Sequence, residues 1–504
     1  MNIFDIMYPK YKIKKSIRLI EAFGGYGSQH FALEYLGMKV EHWKLIEWAV
    51  KSIQAYKDGH YSNIQYNCDE TVTKDVLVDY LLRMGISFDY NSPATKEEIK
   101  RRKFEELKLI ALNIKMTKNL VNICNVKGKD LDIVEKDKYE YIFTYSFPCQ
   151  DLSLAGKQKG MSRDSNTRSG MLWEVERILE ECKEIDSLPQ ILLMENVPQV
   201  IGTDNVNDFN EWQLRLESLG YKNYHNTMIA TDYFIPQARN RTYMVSILGD
   251  YSYTFPNAMK LRYKLKYLLE NNVEEKYYLS KKVLSVLNYD MEDIKENNVG
   301  IDLNSKHSNF REIANTIKAR YDCGYENFSP GPTGVVEFKS YLGTYQYAKS
   351  DNFMQGKDRF QVGKEISDTL QTTPKEGVVI KEATKKGYAI ATEGDSINLE
   401  QPNSSTHRGR VGKGIAQTLM TNPQQATIQD LKIRKLTPNE CFRLMGVKDE
   451  DYNNIAKNQS DSSLYHLAGD SIVTTVLMGI FGELLGIDYI TKIQELLENL
   501  KGSE

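Results

Sequence analysis

The feature that most constrains the fold of this chain is an alternation of short apolar runs with helical segments across residues 17–250. Five runs have the character of β-strands, at residues 17–23, 40–46, 141–147, 191–194 and 242–248. The segment from Ser28 has helical spacing, and Gly37 follows it as a helix stop. Strands that alternate with helices predict a largely parallel sheet covered by helices. We therefore expect an α/β domain over residues 1–250, with a helical insertion at about residues 70–123.

The chain changes character after residue 250. Apolar runs become shorter up to about residue 430, while Gly, Thr, Asn, Gln and Tyr become more frequent. This composition predicts a smaller, irregular and β-rich domain over residues 251–430, and helical periodicity returns over residues 431–504. The pattern (E/G)-I-(A/S)-x-T-(L/I) occurs three times, beginning at Glu312, Glu365 and Gly414. It is either a structural repeat, which would favour more than one module, or a coincidence in a threonine-rich region.

Cysteine usage and charge narrow the class of protein. The 6 cysteines form no CxxC pair and no disulfide framework, which is typical of a reducing cytoplasm. Residues 1–15 lack the apolar core of a signal peptide, and the apolar stretch 472–485 is too short to span a bilayer. The net charge of −3 does not indicate a nucleic-acid binder. Residues 403–435 are nevertheless rich in Lys and Arg, so they form either a phosphate-facing patch or an ordinary solvated surface.

A glycine-rich turn, Phe23-x-Gly25-x-Gly27, follows the first predicted strand and opens the first helix. Its glycines let the backbone approach a ligand, and the helix N-terminus offers free N–H donors. Glu47 ends the next strand, where a carboxylate can bind ribose hydroxyls. His30 replaces the third glycine of the dinucleotide fingerprint, which favours S-adenosylmethionine over a nicotinamide dinucleotide. Taken alone, the turn is equally compatible with an ordinary strand–helix connection.

Two reactive side chains follow other predicted strands. Cys149 lies in Pro148-Cys149-Gln150, where proline restrains the turn and a polar loop follows. Most cysteines at strand ends are core residues, but this context favours an exposed and nucleophilic thiol. Glu195 closes the apolar strand 191–194, where it is either a desolvated general acid or a surface glutamate that caps a helix.

These features converge on one edge of the predicted sheet. The glycine turn, Glu47, Cys149 and Glu195 each follow the carboxyl end of a strand, and in an open parallel sheet these ends share one ligand-binding crevice. Arg239 and Arg241 precede the last strand and would point the same way, offering guanidinium groups to phosphate or carbonyl oxygens. A salt-bridged strand edge is the alternative for the two arginines. No His/Cys ligand cluster is evident, so we expect no metal.

With these residues the chain resembles the C5-cytosine DNA methyltransferase family, whose motifs it carries in the family's order. The similarity extends from residue 17 to about residue 485. It rests on Phe23-x-Gly25-x-Gly27, Glu47-Trp48, Pro148-Cys149-Gln150, Glu195-Asn196-Val197, Gln237-x-Arg239-x-Arg241, Arg434-x-Leu436-Thr437-Pro438-x-Glu440 and Ala468-Gly469-Asp470-Ser471. The stretch around Cys149 is most similar to small bacterial enzymes that methylate CG, a likeness that does not transfer the target sequence.

The resemblance implies a fold and a reaction. The fold is a Rossmann-like, S-adenosylmethionine-dependent methyltransferase domain with a target-recognition domain over residues 251–430, and residues 431–504 return to the catalytic domain. Cys149 would attack cytosine C6, Glu195 would act at N3, Arg241 would hold O2 and Arg239 would brace the loop. Because stacking hides both faces of the ring, the cytosine must be flipped out of the duplex, and a loop over residues 150–170 should close on the DNA.

The resemblance also implies binding residues and partners. The cofactor residues expected are Phe23, Gly25, Gly27, Glu47, Trp48, Asn125, Pro148, Leu172, Asp470 and Ser471. Asn125 stands where the family has a carboxylate, and Asp470 where it usually has asparagine, so both contacts depart from the pattern. The DNA contacts expected are Ser153, Gln237, Arg410 and Thr418. The expected partners are double-stranded DNA and a separate cognate restriction endonuclease, with a monomer acting on DNA and no membrane.

Two alternatives remain open at this point. An RNA cytosine methyltransferase of the same fold is one, although such relatives have little recognition domain and this chain has about 180 residues there. A catalytically silent DNA-binding relative is the other, although the presence of both Cys149 and Glu195 speaks against it.

Overall fold

The structure is a computed structural model with two compact units. It describes residues 8–62, 72–148, 152, 161, 168–277, 300–302, 310–311, 333–334, 344–348, 359–362, 375–384, 387–392, 394–399, 408–419, 425–429 and 432–500. The first unit comprises Met1–Tyr263, Met420–Asn422 and Cys441–Lys501. The second comprises Lys264–Leu419, Pro423–Glu440 and Gly502–Glu504. The first unit is therefore built from segments that are far apart in the sequence.

A six-stranded sheet in the order β2-β1-β3-β4-β7-β5 forms the centre of the first unit. The strands of this unit are β1 (Ser16–Ala22), β2 (Val40–Ile46), β3 (Tyr139–Tyr145), β4 (Ile191–Asn196), β5 (Tyr221–Ile229), β6 (Gln237–Ala238) and β7 (Asn240–Leu248). Strands β1 to β4 pair in parallel, whereas β7 runs antiparallel to both β4 and β5. The predicted α/β class is confirmed, and the parallel arrangement holds for four strands. Strand β5 has no counterpart among the predicted strands.

The central strands are buried on both faces, as expected of a sheet covered by helices. Every residue of β4 and all but the first residue of β3 are buried. The helices of this unit are α1 (Ser28–Tyr35), α2 (Val50–His60), α3 (Lys74–Met84), α4 (Lys96–Lys100), α5 (Phe104–Met116), α6 (Leu172–Glu184), α7 (Val206–Ser218), α9 (Asp449–Ala456), α10 (Asp461–Asp470), α11 (Thr474–Leu485) and α12 (Tyr489–Asn499). A further helix, α8 (Pro438–Arg443), spans the boundary between the units.

The helical insertion consists of α3, α4 and α5. Leu77, Leu81, Ile99, Leu107 and Ile110 form an apolar cluster of their own in this insertion. A parallel bridge from Leu45 to Asn119 places the end of the insertion beside β2, which is an edge strand of the sheet. Three helices therefore lie within the region that the sequence marks as an insertion.

The segment Asp461–Leu485, which contains α10 and α11, is the one helical segment among the described residues that is long and apolar enough to cross a membrane. Its most apolar window is 89% buried inside the protein. Gly479 of α11 packs closely against Tyr233 and Pro256, where any side chain would be tight. This burial identifies the segment as part of the core of the first unit.

The second unit is β-rich, as predicted, and its described strands form antiparallel sheets. The strands are β8 (Gly300–Asp302), β9 (Phe310–Arg311), β10 (Thr333–Gly334), β11 (Thr344–Ala348), β12 (Arg359–Val362), β13 (Lys375–Lys381), β14 (Tyr388–Thr392), β15 (Ser396–Asn398), β16 (Val411–Gly412), β17 (Ala416–Gln417), β18 (Gln425–Gln429) and β19 (Lys432–Lys435). Of the three repeated patterns, those that begin at Glu312 and Glu365 lie outside the described residues.

Two arginines of the basic segment 403–435 lie inside the second unit. Arg434 is fully buried and forms a bidentate ion pair with Glu440, at 2.8 and 2.7 Å. Arg410 is 1% exposed and donates to the carbonyl of Asn398, and burial lowers the pKa of its guanidinium. A buried cation requires such partners because desolvation is costly. The interpretation of this segment as a phosphate-facing surface does not hold for these two residues in this conformation.

Candidate active site

The glycine-rich turn connects β1 to α1 and is hydrogen-bonded to the end of β2. Phe23, Gly25 and Gly27 all have positive φ angles, of 57°, 56° and 84°. The backbone N–H of Phe23 donates to the carbonyl of Ile46 at 2.8 Å, which fixes the turn against β2. A Cβ at Gly27 would lie 2.4 Å from the Nε2 atom of His60, so only glycine fits there. The turn therefore holds its shape through packing as well as through backbone freedom.

Glu47 lies directly after β2 and is 8% exposed. Its carboxylate accepts the backbone N–H groups of Gly25 at 3.1 Å and of Ala49 at 2.9 Å, one on each oxygen. Burial raises the pKa of Glu47 to about 7, against the effect of these hydrogen bonds, and the charge of Asp470 also raises it. Each carboxylate oxygen can accept a second hydrogen bond. The residue is thus suited to bind two neighbouring hydroxyl groups.

Asn119 is a residue of this site that sequence reasoning missed. Its amide accepts the backbone N–H of Glu47 at 3.1 Å and donates to the carbonyl of Glu47 at 2.8 Å. This pair of bonds fixes the backbone from which the carboxylate projects. The only sequence signal is a single asparagine at the end of the insertion, about 70 residues from its partner, so no local pattern identifies it.

The remaining expected cofactor residues have varied positions. Trp48 packs partly buried against the insertion cluster, and Leu172 is fully buried at the start of α6. Asn125 is exposed and donates to the carbonyl of Arg83 at 3.3 Å. Pro148 is partly buried after β3. Leu172 therefore has the packing of a core residue, while the others keep some exposed surface.

Arg239 holds the motif at residues 468–471 beside the glycine-rich turn. The Nη2 atom of this arginine donates to the carbonyls of Gly469 at 3.0 Å and Ser471 at 2.6 Å, and the residue is 3% exposed. The hydroxyl of Ser471 lies 3.7 Å from the position that a Cβ of Gly25 would occupy. Asp470 is half exposed and pairs with His466 at 3.0 Å. Arg239 thus braces a loop that lies beside the cofactor turn.

Glu195 lies at the end of β4 and is 4% exposed. Its Oε2 atom accepts the hydroxyl of Ser146 at 2.6 Å, and its Oε1 atom lies 3.1 Å from the Nε atom of Arg241. The next residue, Asn196, donates to the carbonyl of Phe147 at 3.0 Å. These bonds join the end of β4 to the residues that immediately precede Pro148. The sequence motifs contain Asn196 but did not identify its role or that of Ser146.

The reversal of β7 explains how Arg241 reaches Glu195. In the antiparallel register, Glu195 pairs with Tyr243 and Asn196 with Thr242. The beginning of β7 therefore lies at the same sheet edge as the carboxyl ends of β1 to β4. In a parallel arrangement Arg239, just before β7, and Arg241, near its beginning, would lie at the opposite edge.

Cys149 lies outside the described residues, as do Gln150 and Ser153. Of the predicted closing loop, the structure describes Leu152, Met161 and residues 168–170. Leu152 is 2% exposed and Met161 is fully buried, and both belong to the core cluster of the first unit. Two apolar side chains within the segment are thus anchored in the core.

The residues expected to contact DNA are not gathered on a single described surface. Gln237 is fully buried and donates to the carbonyl of Leu444 at 2.8 Å. The carbonyl of Thr418 accepts the amide of Gln425 at 3.2 Å, within the second unit. A DNA contact by Gln237 or Arg410 requires these side chains to leave their present partners, and all four DNA contacts stay predictions.

The first unit also contains a buried histidine cluster that the sequence did not reveal. Two groups of ligand-type side chains meet there, and they share His30: Glu21, His30 and His42 form one group, and His30, Glu34 and His60 form the other. Burial raises the pKa of Glu21 to about 8 and lowers that of His60 to about 4. The sequence alone did not indicate this cluster, because α1, α2, β1 and β2 bring together side chains that are separated in the sequence. The expectation of no metal stays a prediction.

The sequence is similar to one family of proteins and to individual methyltransferases of that kind. Residues 114–486 match the family described as C-5 cytosine-specific DNA methylase. The chain is 37% identical over 287 residues to the orphan methyltransferase M.SssI of Spiroplasma monobiae, covering 56% of this chain and 71% of the relative. It is 36% identical over 271 residues to the type II methyltransferase M2.ScrFI of Lactococcus lactis subsp. cremoris, covering 53% and 72%. Among solved structures, the Entamoeba histolytica methyltransferase EhMeth matches with a TM-score of 0.46 at 12% identity, covering 94% of this chain and 99% of the other.

Proposed function

The chain belongs to the C-5 cytosine-specific DNA methylase family and is a DNA cytosine-5 methyltransferase, and we propose that Cys149 and Glu195 carry out its chemistry. The observation that carries this proposal is a pair of hydrogen bonds between the end of β4 and the two residues that follow β3. They place the buried carboxylate of Glu195 beside the chain that leads into Pro148 and Cys149. A nucleophile and an acid at one site are what this reaction needs.

Cytosine C5 is too weak a nucleophile to take a methyl group unaided. The Cys149 thiolate forms a bond to C6, and Glu195 donates to N3 as charge develops on the ring. We assign Arg241 to the cytosine O2 atom, and its position 3.1 Å from Glu195 supports this assignment. S-adenosylmethionine, when bound, supplies the methyl group on a sulfonium centre. Water then takes the C5 proton, the electron pair of that bond restores the C5–C6 double bond, and the thiolate of Cys149 leaves C6 while the N3 proton returns to Glu195.

The cofactor residues fit a nucleoside. Glu47 offers two oxygens with spare lone pairs at the mouth of the sheet, which suits the two ribose hydroxyls. The turn at Gly25 and Gly27 lets the backbone approach the ligand without side chains in the way. We assign Phe23, Trp48 and Ser471 to the same pocket. Asn125, Pro148, Leu172 and Asp470 complete the proposed set.

We expect Glu47→Gln to weaken S-adenosylmethionine binding about 10- to 100-fold, because hydrogen bonds to a charged group contribute about 1.5–3 kcal/mol. In the wild type, affinity should rise as the pH passes through about 7, because the carboxylate accepts from hydroxyls better than the neutral acid does. Glutamine cannot ionise, so this pH dependence should disappear in the variant. Calorimetric titration from pH 6 to pH 8.5 measures both effects.

Glu41→Gln is the matched control, since Glu41 lies on β2, the strand that leads to Glu47, but is exposed. Its cofactor affinity should equal that of the wild type at every pH. Equal affinity and equal pH dependence in Glu47→Gln and the wild type would remove Glu47 from the cofactor site.

We propose that residues 1–250 form the catalytic domain, that residues 251–430 read the DNA sequence, and that residues 431–504 return to the catalytic domain. Base-edge contacts from loops are the usual means of such readout. The relatives include both an orphan and a type II methyltransferase, so a restriction-modification system with a separate endonuclease is a supported setting. Action on double-stranded DNA as a monomer in the cytoplasm is part of the same proposal.

Bisulfite sequencing of host DNA after expression of the chain tests the function and finds the target together. We expect cytosines that resist bisulfite conversion within one short DNA sequence. The same cytosines should be converted in DNA from cells that carry an empty vector. Methylated tRNA with unmethylated duplex DNA would establish the RNA enzyme instead. Absence of methylation on both, with a correctly folded and cofactor-binding protein, would establish the silent DNA-binding relative.

A further inference from the structure

The histidine cluster lies beneath the glycine-rich turn, between α1 and α2. His30 and Glu34 occupy one face of α1 at a spacing of four residues, and His60 ends α2. The His30 Nε2 atom is 3.4 Å from Glu34 Oε1, and the His60 Nδ1 atom is 3.8 Å from Glu34 Oε2. The side chain of His60 is 1% exposed, whereas that of Glu34 is 45% exposed. One side of the group is therefore open to solvent.

The hydrogen bonds around this group leave too few protons for its acceptors. His60 Nε2 lies 3.0 Å from the carbonyl of Tyr26, so Nε2 carries the proton and Nδ1 carries a lone pair. No described residue offers a hydrogen bond to that buried Nδ1 atom. It faces the carboxylate of Glu34, which is also an acceptor. A cation between the buried Nδ1 atom of His60 and the half-exposed carboxylate of Glu34 would satisfy both acceptors.

His30 presents a third lone pair to the same point. Its Nδ1 atom is 3.2 Å from the hydroxyl of Tyr56, which itself donates to Glu21 at 2.5 Å. The Tyr56 oxygen also lies 2.7 Å from the Nδ1 atom of His42, which is an acceptor because His42 Nε2 donates to the carbonyl of Thr117. Glu21 and His42 therefore compete for the Tyr56 proton, and His30 Nδ1 is the donor to the Tyr56 oxygen. In that tautomer the Nε2 atom of His30 is unprotonated and faces Glu34. Three electron-pair donors therefore converge.

The spacing of these atoms matches a small metal ion. With bonds of about 2.0–2.1 Å to zinc, neighbouring ligand atoms of a tetrahedron are about 3.3 Å apart. The two histidine–carboxylate distances are 3.4 and 3.8 Å. The rings of His30 and His60 stack 5° from parallel, so a shared ion requires the His30 ring to tilt. The long bond from His30 to Tyr56 leaves room for this movement.

We propose that His30, Glu34 and His60 bind one zinc ion, with water in the fourth position. The Tyr26 carbonyl on His60 and the Tyr56 hydroxyl on His30 are outer-shell partners of the kind that orient metal-binding histidines. The neighbouring group of Glu21, His30 and His42 is a weaker candidate, because the Tyr56 hydroxyl already occupies its centre. The proposed site is independent of the catalytic residues.

The site would stabilise the cofactor turn. His60 packs directly against Gly27. Among the described residues, none forms a hydrogen bond with its Nδ1 atom. An ion that joins α1 to the end of α2 would hold His60, and with it the turn, in one position. A ligand that binds only the folded state raises the free energy of unfolding with the logarithm of the ratio of its concentration to its Kd. Zinc should therefore raise the melting temperature of the protein without changing the methylated sequence.

The experiment uses the untagged full chain after removal of metals with a chelator. Zinc titration against a competing indicator should give one ion per chain, and cobalt should give the visible spectrum of a tetrahedral site without a thiolate charge-transfer band. Glu34→Gln should weaken binding at least about 10-fold and His60→Gln more than about 100-fold. His225→Gln, an exposed histidine on β5, is the matched control and should bind zinc like the wild type.

Glu34→Gln keeps the test decisive if His60→Gln does not fold, because Glu34 is half exposed and glutamine has the same shape. Unchanged zinc affinity in Glu34→Gln would overturn the proposal. So would a wild type that binds no zinc at micromolar concentrations. Loss of binding in Cys149→Ser with full binding in Glu34→Gln would move the ion to the catalytic thiol and overturn the proposal as well.

Discussion

A Cys149→Ser variant is expected to lose methyl transfer by at least about 10⁴-fold while its fold and cofactor affinity remain those of the wild type. A serine hydroxyl is far less ionised than a thiol at neutral pH, and without a nearby base it does not add to the cytosine ring. Transfer of radiolabelled methyl groups to duplex DNA measures the loss. Incubation with DNA that contains 5-fluorocytosine should trap the wild type covalently and leave the variant free.

Cys182→Ser is the matched control for this experiment. Cys182 is buried on α6, and its thiol lies 3.5 Å from the carbonyl of Gly128, a contact that a serine hydroxyl can reproduce. Its methyl transfer should stay within a few-fold of the wild type. Persistent C5 methylation by Cys149→Ser would exclude Cys149 as the nucleophile.

A Glu195→Gln variant should lower kcat by about 10²- to 10⁴-fold, the usual contribution of a general acid or base. Glutamine keeps the size of the side chain and can still accept the Ser146 hydroxyl, so the local structure should survive. It cannot donate and regain a proton at N3. Single-turnover rates with saturating DNA and S-adenosylmethionine separate this loss from any change in binding.

Glu140→Gln is the control for Glu195→Gln. Glu140 is also buried, and burial raises its pKa to about 7, but it lies near the start of β3, at the opposite edge of the sheet. The kcat of the Glu140→Gln variant should equal that of the wild type. If the two variants lost activity equally, the loss would reflect the removal of a buried carboxylate rather than catalysis by Glu195.

The residues that follow the strands could be predicted from the sequence, because a polar or glycine residue after an apolar run is a local pattern. Gly25, Gly27 and Glu47 each follow an apolar run, and the structure places them at one sheet edge. The direction of β7 was not predictable, since the same apolar strand can pair in either direction and only its non-local partners decide. The position of Arg241 beside Glu195 depends on that choice.

The sequence also does not predict which charged and polar side chains are buried. Arg410 and Arg434 are indistinguishable in the sequence from exposed basic residues, but their partners Asn398 and Glu440 take them into the second unit. The hydroxyl of Ser146 gains its role only when β3 and β4 lie side by side. Such contacts join residues that are distant in the chain, which no local pattern reports.

The dependence of Arg239 on Gly469 and Ser471 has a consequence for synthesis on the ribosome. About two hundred residues, including most of the second unit, are translated between β7 and these carbonyl acceptors. At about 5–20 residues per second, Arg239 waits roughly 10–40 s for the carbonyls that it contacts in the folded protein. We therefore expect a newly made enzyme to become active only when nearly its whole chain has emerged, and a product truncated before Gly469 to lack methyl transfer.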